Sequence, residues 1–472
     1  MAEVVVVGGG VVGLGLAMML ARDGHDVTVL ERDASPPPDG VEAAWDNWER
    51  RGVAQFRLAH AFLARYRQIV ESELPELASA LVTDGALRQN PLVDAPESIR
   101  GPLRPGDERF EILTGRRVMV ERVVASCAAA TPGLTVRRGT AVNGLVTGPE
   151  AVPGIPNVVG VRTEAGEELG ADLVIDMSGR RSALTSWLGQ IGCRSPIEEV
   201  DDSGFMYYGR HYRSPDGSLP PALGGALQEF GSISALTLGA DNGHWATALI
   251  ARSDDRAMRR LTDTTAWEKV FRSLPTVAHW ADGQPVEDRI VTMAKIEDRA
   301  RTFEVDGRPI VTGLLAVADA WACTNPSLGR GASIGMMHAR LLRDCLRAPD
   351  ADDPSRLTAA FNAATAETVR PWYDATVEFD RRRLEEMGSL IEGGAQPALP
   401  PDQEMTKALQ SALLKDADCF RGFLDIVMVQ ALPDEVMSRP GLFEKVIALG
   451  SDWRQDPVIG PDRAALVALV NS

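Results

Sequence analysis

Four valines, Val4 to Val7, follow Glu3 and run straight into three glycines. An unbroken apolar run of this length suits a central strand of a parallel sheet, buried on both faces. From Val11 apolar residues recur at helical spacing to Leu20, and Asp23-Gly24 ends that helix. Val27 to Leu30 then predicts a second strand, closing in Glu31. Two later stretches repeat the strand, turn and helix order: Ala171 to Ser182, and Gly313 to Ala339 with a loop holding Pro326, Gly329 and Gly331. Between them the pattern changes to alternation. Gly204 to Arg213 reads as an aromatic-rich strand, and Ser232–Leu238 and His244–Ala251 flank the hairpin signal Gly239 to Gly243. An antiparallel sheet from about residue 195 to 255 follows from this spacing. Beyond Pro354 the pattern is helical. Leu357 to Glu386 reads as one long helix broken near Pro371, then come helices through Leu432, Leu442 to Leu449, and a last one from Pro461 to Val470. Ser35–Pro38 and Pro397–Pro401 read as loops.

The chain has 472 residues, enough for about two or three structural units. Its 44% hydrophobic and 24% charged residues are those of a globular protein. A formal net charge of −17 argues against nucleic acid or anionic lipid as partner and favours a small molecule. The opening apolar stretch has the length of a membrane span, but its five glycines and missing basic flank point to strand plus helix, with neither leader nor span. Cys127, Cys193, Cys323, Cys345 and Cys419 are scattered without metal spacing, as expected of reduced thiols in a cytoplasmic protein. None of the six histidines pairs with Cys, Asp or Glu at metal spacing, so no metal site is expected; His60 and His211 remain acid–base candidates.

The sharpest motif is Gly8-Gly9-Gly10-Val11-Val12-Gly13, set between a strand and a helix. In the pattern GxGxxG the first glycine makes the tight turn and the second lets backbone approach a pyrophosphate. The third packs the helix on the strand, and the helix amino terminus faces the negative phosphates. Glu31, 18 residues beyond Gly13, suits the ribose hydroxyls. These residues predict dinucleotide binding and leave NAD against FAD open.

Three further segments narrow the choice: Arg50-Arg51-Gly52-Val53-Ala54-Gln55, the run Ala171 to Ser182, and Gly313 to Ala339. With them the chain resembles the FAD-dependent monooxygenases of the p-hydroxybenzoate hydroxylase type, and within these the bacterial branch that includes polyether-type epoxidases. The resemblance implies an α/β fold: a doubly wound, FAD-binding, Rossmann-like domain with an inserted antiparallel-sheet substrate domain and a carboxy-terminal helical region. It assigns residues 1–80, 110–193 and 290–350 to the FAD domain, 81–109 and 194–289 to the substrate sheet, and 351–472 to a helical cap that could shape substrate access. Arg50 and Arg116 would lie along the FAD, Asp319 would bind the ribityl chain, and Pro326 would sit beside the reactive flavin carbon. The full expected cofactor set is Gly8, Gly10, Val12, Gly13, Glu31, Arg32, Arg50, Arg116, Asp319, Pro326, Gly329, Gly331 and Ala332. A helix beginning near Gly331 would aim its positive end at the pyrimidine edge of the flavin. Candidate substrate-pocket residues are Phe205, Tyr207, Trp245 and Trp321, and Asp380-Arg381 matches a polar pair of the family. Two departures stand out: Ala318 replaces the glycine of the usual Gly-Asp pair, and Ser178 replaces an aspartate.

The implied reaction is hydroxylation or epoxidation of an apolar small molecule of secondary metabolism by molecular oxygen, through a flavin C4a-hydroperoxide. Electrons would come from NAD(P)H docking transiently or from a separate flavin reductase, since no second GxGxxG follows a predicted strand. An FAD-dependent dehydrogenase or reductase of an apolar substrate stays open, as does a flavin-binding protein without turnover. A flavin halogenase should carry Trp-x-Trp, which none of the nine tryptophans makes.

Overall fold

The computed structural model describes residues 1–53, 55–393 and 399–472. Ala54 and the Pro397 end of the expected loop lie outside the described residues. In chain order the elements that position the site are β1 (Glu3–Val7), α1 (Val11–Arg22), β2 (Asp26–Glu31), α2 (Arg117–Ala129), β3 (Leu134–Arg138), β4 (Leu173–Asp176), β5 (Phe205–Arg213), β6 (Leu227–Phe230), β7 (Ile233–Gly239), β8 (His244–Arg252), β9 (Leu314–Ala316) and α3 (Gly331–Leu346). The carboxy-terminal part adds α4 (Pro354–Thr368), α5 (Arg370–Glu392), α6 (Pro401–Ala412), α7 (Ala417–Val427) and α8 (Leu442–Gly450), with the short helix Pro433–Met437 between α7 and α8, before the terminal α9 (Arg463–Asn471).

The expected mixed α/β architecture is present. A parallel sheet runs in the order β9-β4-β1-β2-β3, with β1 central. Strand geometry sends alternate side chains to opposite faces. Val4 and Val6 therefore enter the core built with α1, α2 and α3, while Val5 and Val7 enter the opposite one. That second core is covered by a three-stranded antiparallel sheet (Val142–Val152, Ile155–Thr163, Glu168–Gly170) and the short helix Leu184–Gln190. On the helical face α1 and α3 approach closely. A Cβ at Gly15 would lie 2.9 Å from Met336 Sδ, and one at Gly335 would lie 3.1 Å from Val12 Cγ2.

The second large sheet is antiparallel, in the order β6-β7-β8-β5, extended at β5 by the short strands Gln284–Pro285 and Val291–Met293. One face buries Tyr208, Tyr212, Trp245 and Leu249 against helix Thr264–Arg272 and against α9, through Leu466 and Val470. The other face turns Tyr207, Leu236, Leu238 and Ala248 towards the parallel-sheet unit. The long helix expected over residues 357–386 with a break near Pro371 is two helices, α4 and α5, separated at Val369, two residues before that proline. Helices α6, α7 and α8 share a small core of Ala408, Leu409, Cys419, Leu442 and Val446. Buried Arg421 of α7 donates to Asp107 at 2.7 Å and so fastens that unit to the segment before α2. Among the described residues, no helix is long and apolar enough to cross a membrane.

Candidate active-site cleft

A cleft of about 1720 Å³ runs from the carboxyl ends of β1 and β2, past the turn after β9, to the space between the antiparallel sheet and α5–α7. Single drug-sized ligands occupy pockets of roughly 300–1,000 Å³, so this one has room for an extended cofactor and a second molecule.

At the β1 end each glycine of the motif has a distinct steric reason. Gly8 has φ +115°, and a Cβ there would fall 2.4 Å from the Met177 carbonyl oxygen. A Cβ at Gly13 would fall 2.3 Å from the Gly8 carbonyl oxygen, whereas one at Gly10 meets nothing within 4 Å and would project into open space. Gly10 is thus the cradle position. Both α1 and α3 begin without a side-chain cap, and the first residues of both line the cleft. Two sets of unpaired helix-start N–H groups, each carrying partial positive charge, therefore face one space.

Glu31 is buried behind the glycine turn. Its Oε2 accepts from the Gly9 N–H at 3.0 Å and from Arg50 at 2.8 Å, and Oε1 accepts from the Asp33 N–H at 2.9 Å. Arg50 lines the cleft but is already engaged by Glu31, Asp33 (3.1 Å) and Glu121 (3.0 Å). Burial opposes its charge, but Glu121, Glu31 and Asp33 outweigh that and raise its pKa. A guanidinium so committed has little left for a phosphate.

Arg116 departs from expectation. It is buried outside the cleft, its backbone N–H at 2.6 Å and its Nη2 at 2.7 Å from the Asp241 carboxylate in the β7–β8 hairpin. Its neighbour Arg117 lines the cleft instead, donating to Glu121 at 2.7 Å and to His60 Nε2 at 2.9 Å. Phe205 and Trp245 are likewise outside: Phe205 packs with Ile250, Ile296 and Met387, and Trp245 stacks on Tyr212 and donates to the Trp280 carbonyl at 2.8 Å. Strand alternation puts Tyr207 on the cleft side, and Trp321 lines the cleft from the turn after β9. Gly8, Gly10, Val12, Gly13, Glu31, Arg32, Arg50, Asp319, Pro326, Gly329, Gly331 and Ala332 all line it together.

Asp319 faces the cleft, and no hydrogen bond or ion pair to its carboxylate occurs among the described residues. Burial raises its pKa against the pull of Arg117 and Arg180. Such a carboxylate suits polyol hydroxyls. Ser178 is committed to its own strand end. Its N–H (2.9 Å) and hydroxyl (2.6 Å) both donate to Asp176, whose pKa burial raises. His60 lines the cleft, but burial and Arg117 push its pKa well below the ordinary value. His211 lies outside, its pKa lowered by burial to about 3. Both are neutral at pH 7. Among the described residues no cluster of His, Cys, Asp and Glu could hold a metal.

Sequence reasoning missed the far wall, where α7 contributes Phe420, Phe423, Leu424 and Val427. Their spacing of three and four residues marks an apolar helix face, which was the available signal. It also missed Arg117 and Arg180.

Comparisons with known proteins agree with this geometry. Residues 3–200 match the family model described as FAD dependent oxidoreductase. Protein Rv3254 of Mycobacterium tuberculosis is 27% identical over 383 residues, covering 78% of this chain and 77% of its own. Among solved structures, the fold is similar to that of pqsL, a probable FAD-dependent monooxygenase from Pseudomonas aeruginosa (TM-score 0.58, 16% identity, 90% of this chain and 99% of that one). It is similar also to the flavin-dependent brominase Bmp2 (TM-score 0.57, 15% identity, 100% and 98%). At these identities the structural likeness speaks to fold alone. The glycine turn, the buried acid and the matched family model together mark an FAD-dependent oxidoreductase domain over residues 3–200 of the chain.

Proposed function

We propose that this oxidoreductase is a monooxygenase that hydroxylates or epoxidises an apolar small molecule, as the resemblance to the p-hydroxybenzoate hydroxylase type implies. The observation carrying the reading is the continuity of the cleft. One end bears the cradle at Gly10, the middle bears Asp319 and the Pro326 turn, and the far end opens into a chamber lined by Leu236, Leu238, Met293, Phe420 and Leu424.

FAD would lie with its phosphates at the start of α1, its adenosine ribose at Glu31 and its ribityl chain at Asp319. Its pyrimidine edge would face the start of α3, with Arg117 supplying the positive charge expected of Arg116. The bound flavin supplies the activation of dioxygen; the chain supplies what surrounds it. Apolar walls exclude water from the reacting centre, and the α3 N–H groups favour negative charge on the ring. Electrons would come from transiently docked NAD(P)H or from a separate flavin reductase, and a secondary-metabolism substrate of the polyketide, terpenoid or aromatic kind fits the chamber's apolar lining.

The test is direct. Purified protein should be yellow, release FAD on denaturation, and transfer isotopically labelled oxygen from dioxygen into product in extracts of neighbouring biosynthetic enzymes. A yellow protein that oxidises or reduces substrate without incorporating label would favour the dehydrogenase reading.

A further inference from the structure

Beside the Pro326 turn a chain of polar groups crosses from the main cleft to a second, smaller cavity. That cavity has a volume of about 200 Å³ and is lined by Asp201, Asp202, Asp298, Asp380 and Arg381. Tyr207 and Ser327 line the main cleft. The Tyr207 O–H donates to Asn325 Oδ1 at 2.7 Å, and Asn325 Nδ2 donates to Asp380 Oδ1 at 3.1 Å. The Ser327 O–H donates to the same Asp380 oxygen at 2.7 Å. The Asn325 N–H donates to Asp298 at 2.6 Å. Asp380 Oδ2 is buried and has no hydrogen-bond partner among the described residues.

A buried carboxylate oxygen without a partner disfavours the ionised form. Burial raises the Asp380 carboxyl, Asp298 raises it further, and Ser327, Asn325 and Arg330 pull it back, leaving it at about 7. Asp298 is held at about 6 by burial against the Asn325 N–H, with Asp201, Arg381 and Arg180 acting at longer range. Asp202 and Glu385 complete the charged surroundings of the outer cavity. This group exchanges its proton near neutrality, in a site that spans the wall of a cleft built to keep water out.

We infer that Ser327 and Asp380 form a proton path between the substrate chamber and the outer cavity. Outward, a proton from a chamber-side hydroxyl passes to the Ser327 oxygen. The Ser327 proton moves to the Asp380 carboxylate, which then releases its proton to water in the outer cavity. Each oxygen gains one proton as it loses one, so no charge is left on the chain. Asn325 is a positioning residue that holds phenol and carboxyl in register. The path deepens the monooxygenase reading, which needs proton exchange in a closed chamber, but its chemistry does not depend on which product forms.

The test uses FAD-loaded protein. Infrared difference titration through the neutral range should show a protonated-carboxyl band with a midpoint at about 7. Asp380→Asn should abolish the band, and Ser327→Ala should keep it with a raised midpoint, because the lost hydroxyl stabilises the carboxylate. In a second measurement the photoreduced holoenzyme is mixed with dioxygen in light and heavy water. Both variants should slow the isotope-sensitive phase by about tenfold to a hundredfold at unchanged FAD content. A band missing from the parent protein, or one surviving Asp380→Asn, overturns the assignment. So do variants whose isotope effect and pH profile match the parent. Ser327→Ala keeps the test decisive if Asp380→Asn does not fold. Labelled-oxygen transfer plays no part here, so the failure of either idea is visible separately.

Discussion

The Ala318 N–H donates to Nδ1 of His338, 3.1 Å away, and Ala318 itself holds a φ of +54°. The position where the family pattern has glycine is thus one where the backbone is left-handed. An L-residue there carries about 1–2 kcal/mol of strain. Ala318→Gly should relieve it, less the greater freedom glycine has in the unfolded chain, for a net gain of up to about 1 kcal/mol in chemical denaturation. A loss of stability would show that the alanine methyl is needed in its contact with α3.

The motif glycines should separate by function. Gly13→Ala forces a Cβ to within 2.3 Å of backbone and should give little soluble protein. Gly10→Ala meets no protein atom within 4 Å, so it should fold normally and bind FAD at least about tenfold more weakly, read by circular dichroism and flavin fluorescence.

The adjacent arginines should part in the same way. Arg116→Ala leaves buried Asp241 without its partner and should cost about 3–5 kcal/mol of stability. Arg117→Ala should leave melting within a few degrees of the parent and reduce FAD retention on gel filtration. The reverse pattern would return the cofactor role to Arg116.

Asp319→Ala removes the carboxylate that has no hydrogen-bond partner among the described residues. Losing charge-assisted hydrogen bonds worth about 1.5–3 kcal/mol should weaken FAD binding by about tenfold or more. Unchanged FAD content after dialysis would sink the assignment.

Two histidines set an acid limit. Burial holds His211 and His338 at about 3, below the ordinary 6.5. Between those values the unfolded chain binds more protons, so stability is full above about 6.5 and falls as pH drops towards 3. Each contributes a loss of about 2 kcal/mol by pH 5. Denaturant titrations from pH 7 to 5 should show this slope, flattened in His211→Gln.

The glycine turn and its flanking strands were legible because everything that defines them falls within one short stretch of chain. The Arg116 role was not, because which of two adjacent side chains turns outward is decided by Asp241, 125 residues away. Alternation correctly grouped Phe205 with Tyr207 on one face, but Phe205 lies where that face meets α5 at Met387, beyond the cleft. The far wall from α7 needed the tertiary fold, since Arg421 brings that helix to Asp107 across 314 residues.

The opening strand has one more property. With valine at all four positions from 4 to 7, a one-residue slide would swap its inner and outer side chains for identical ones, so the apolar pattern gives no alignment information. The alignment is written at the ends: the Glu3 N–H donates to the Asp172 carboxylate at 2.8 Å, and the Gly8 N–H donates to the Leu30 carbonyl at 2.9 Å. Two polar punctuation marks thus fix where the nucleotide loop begins.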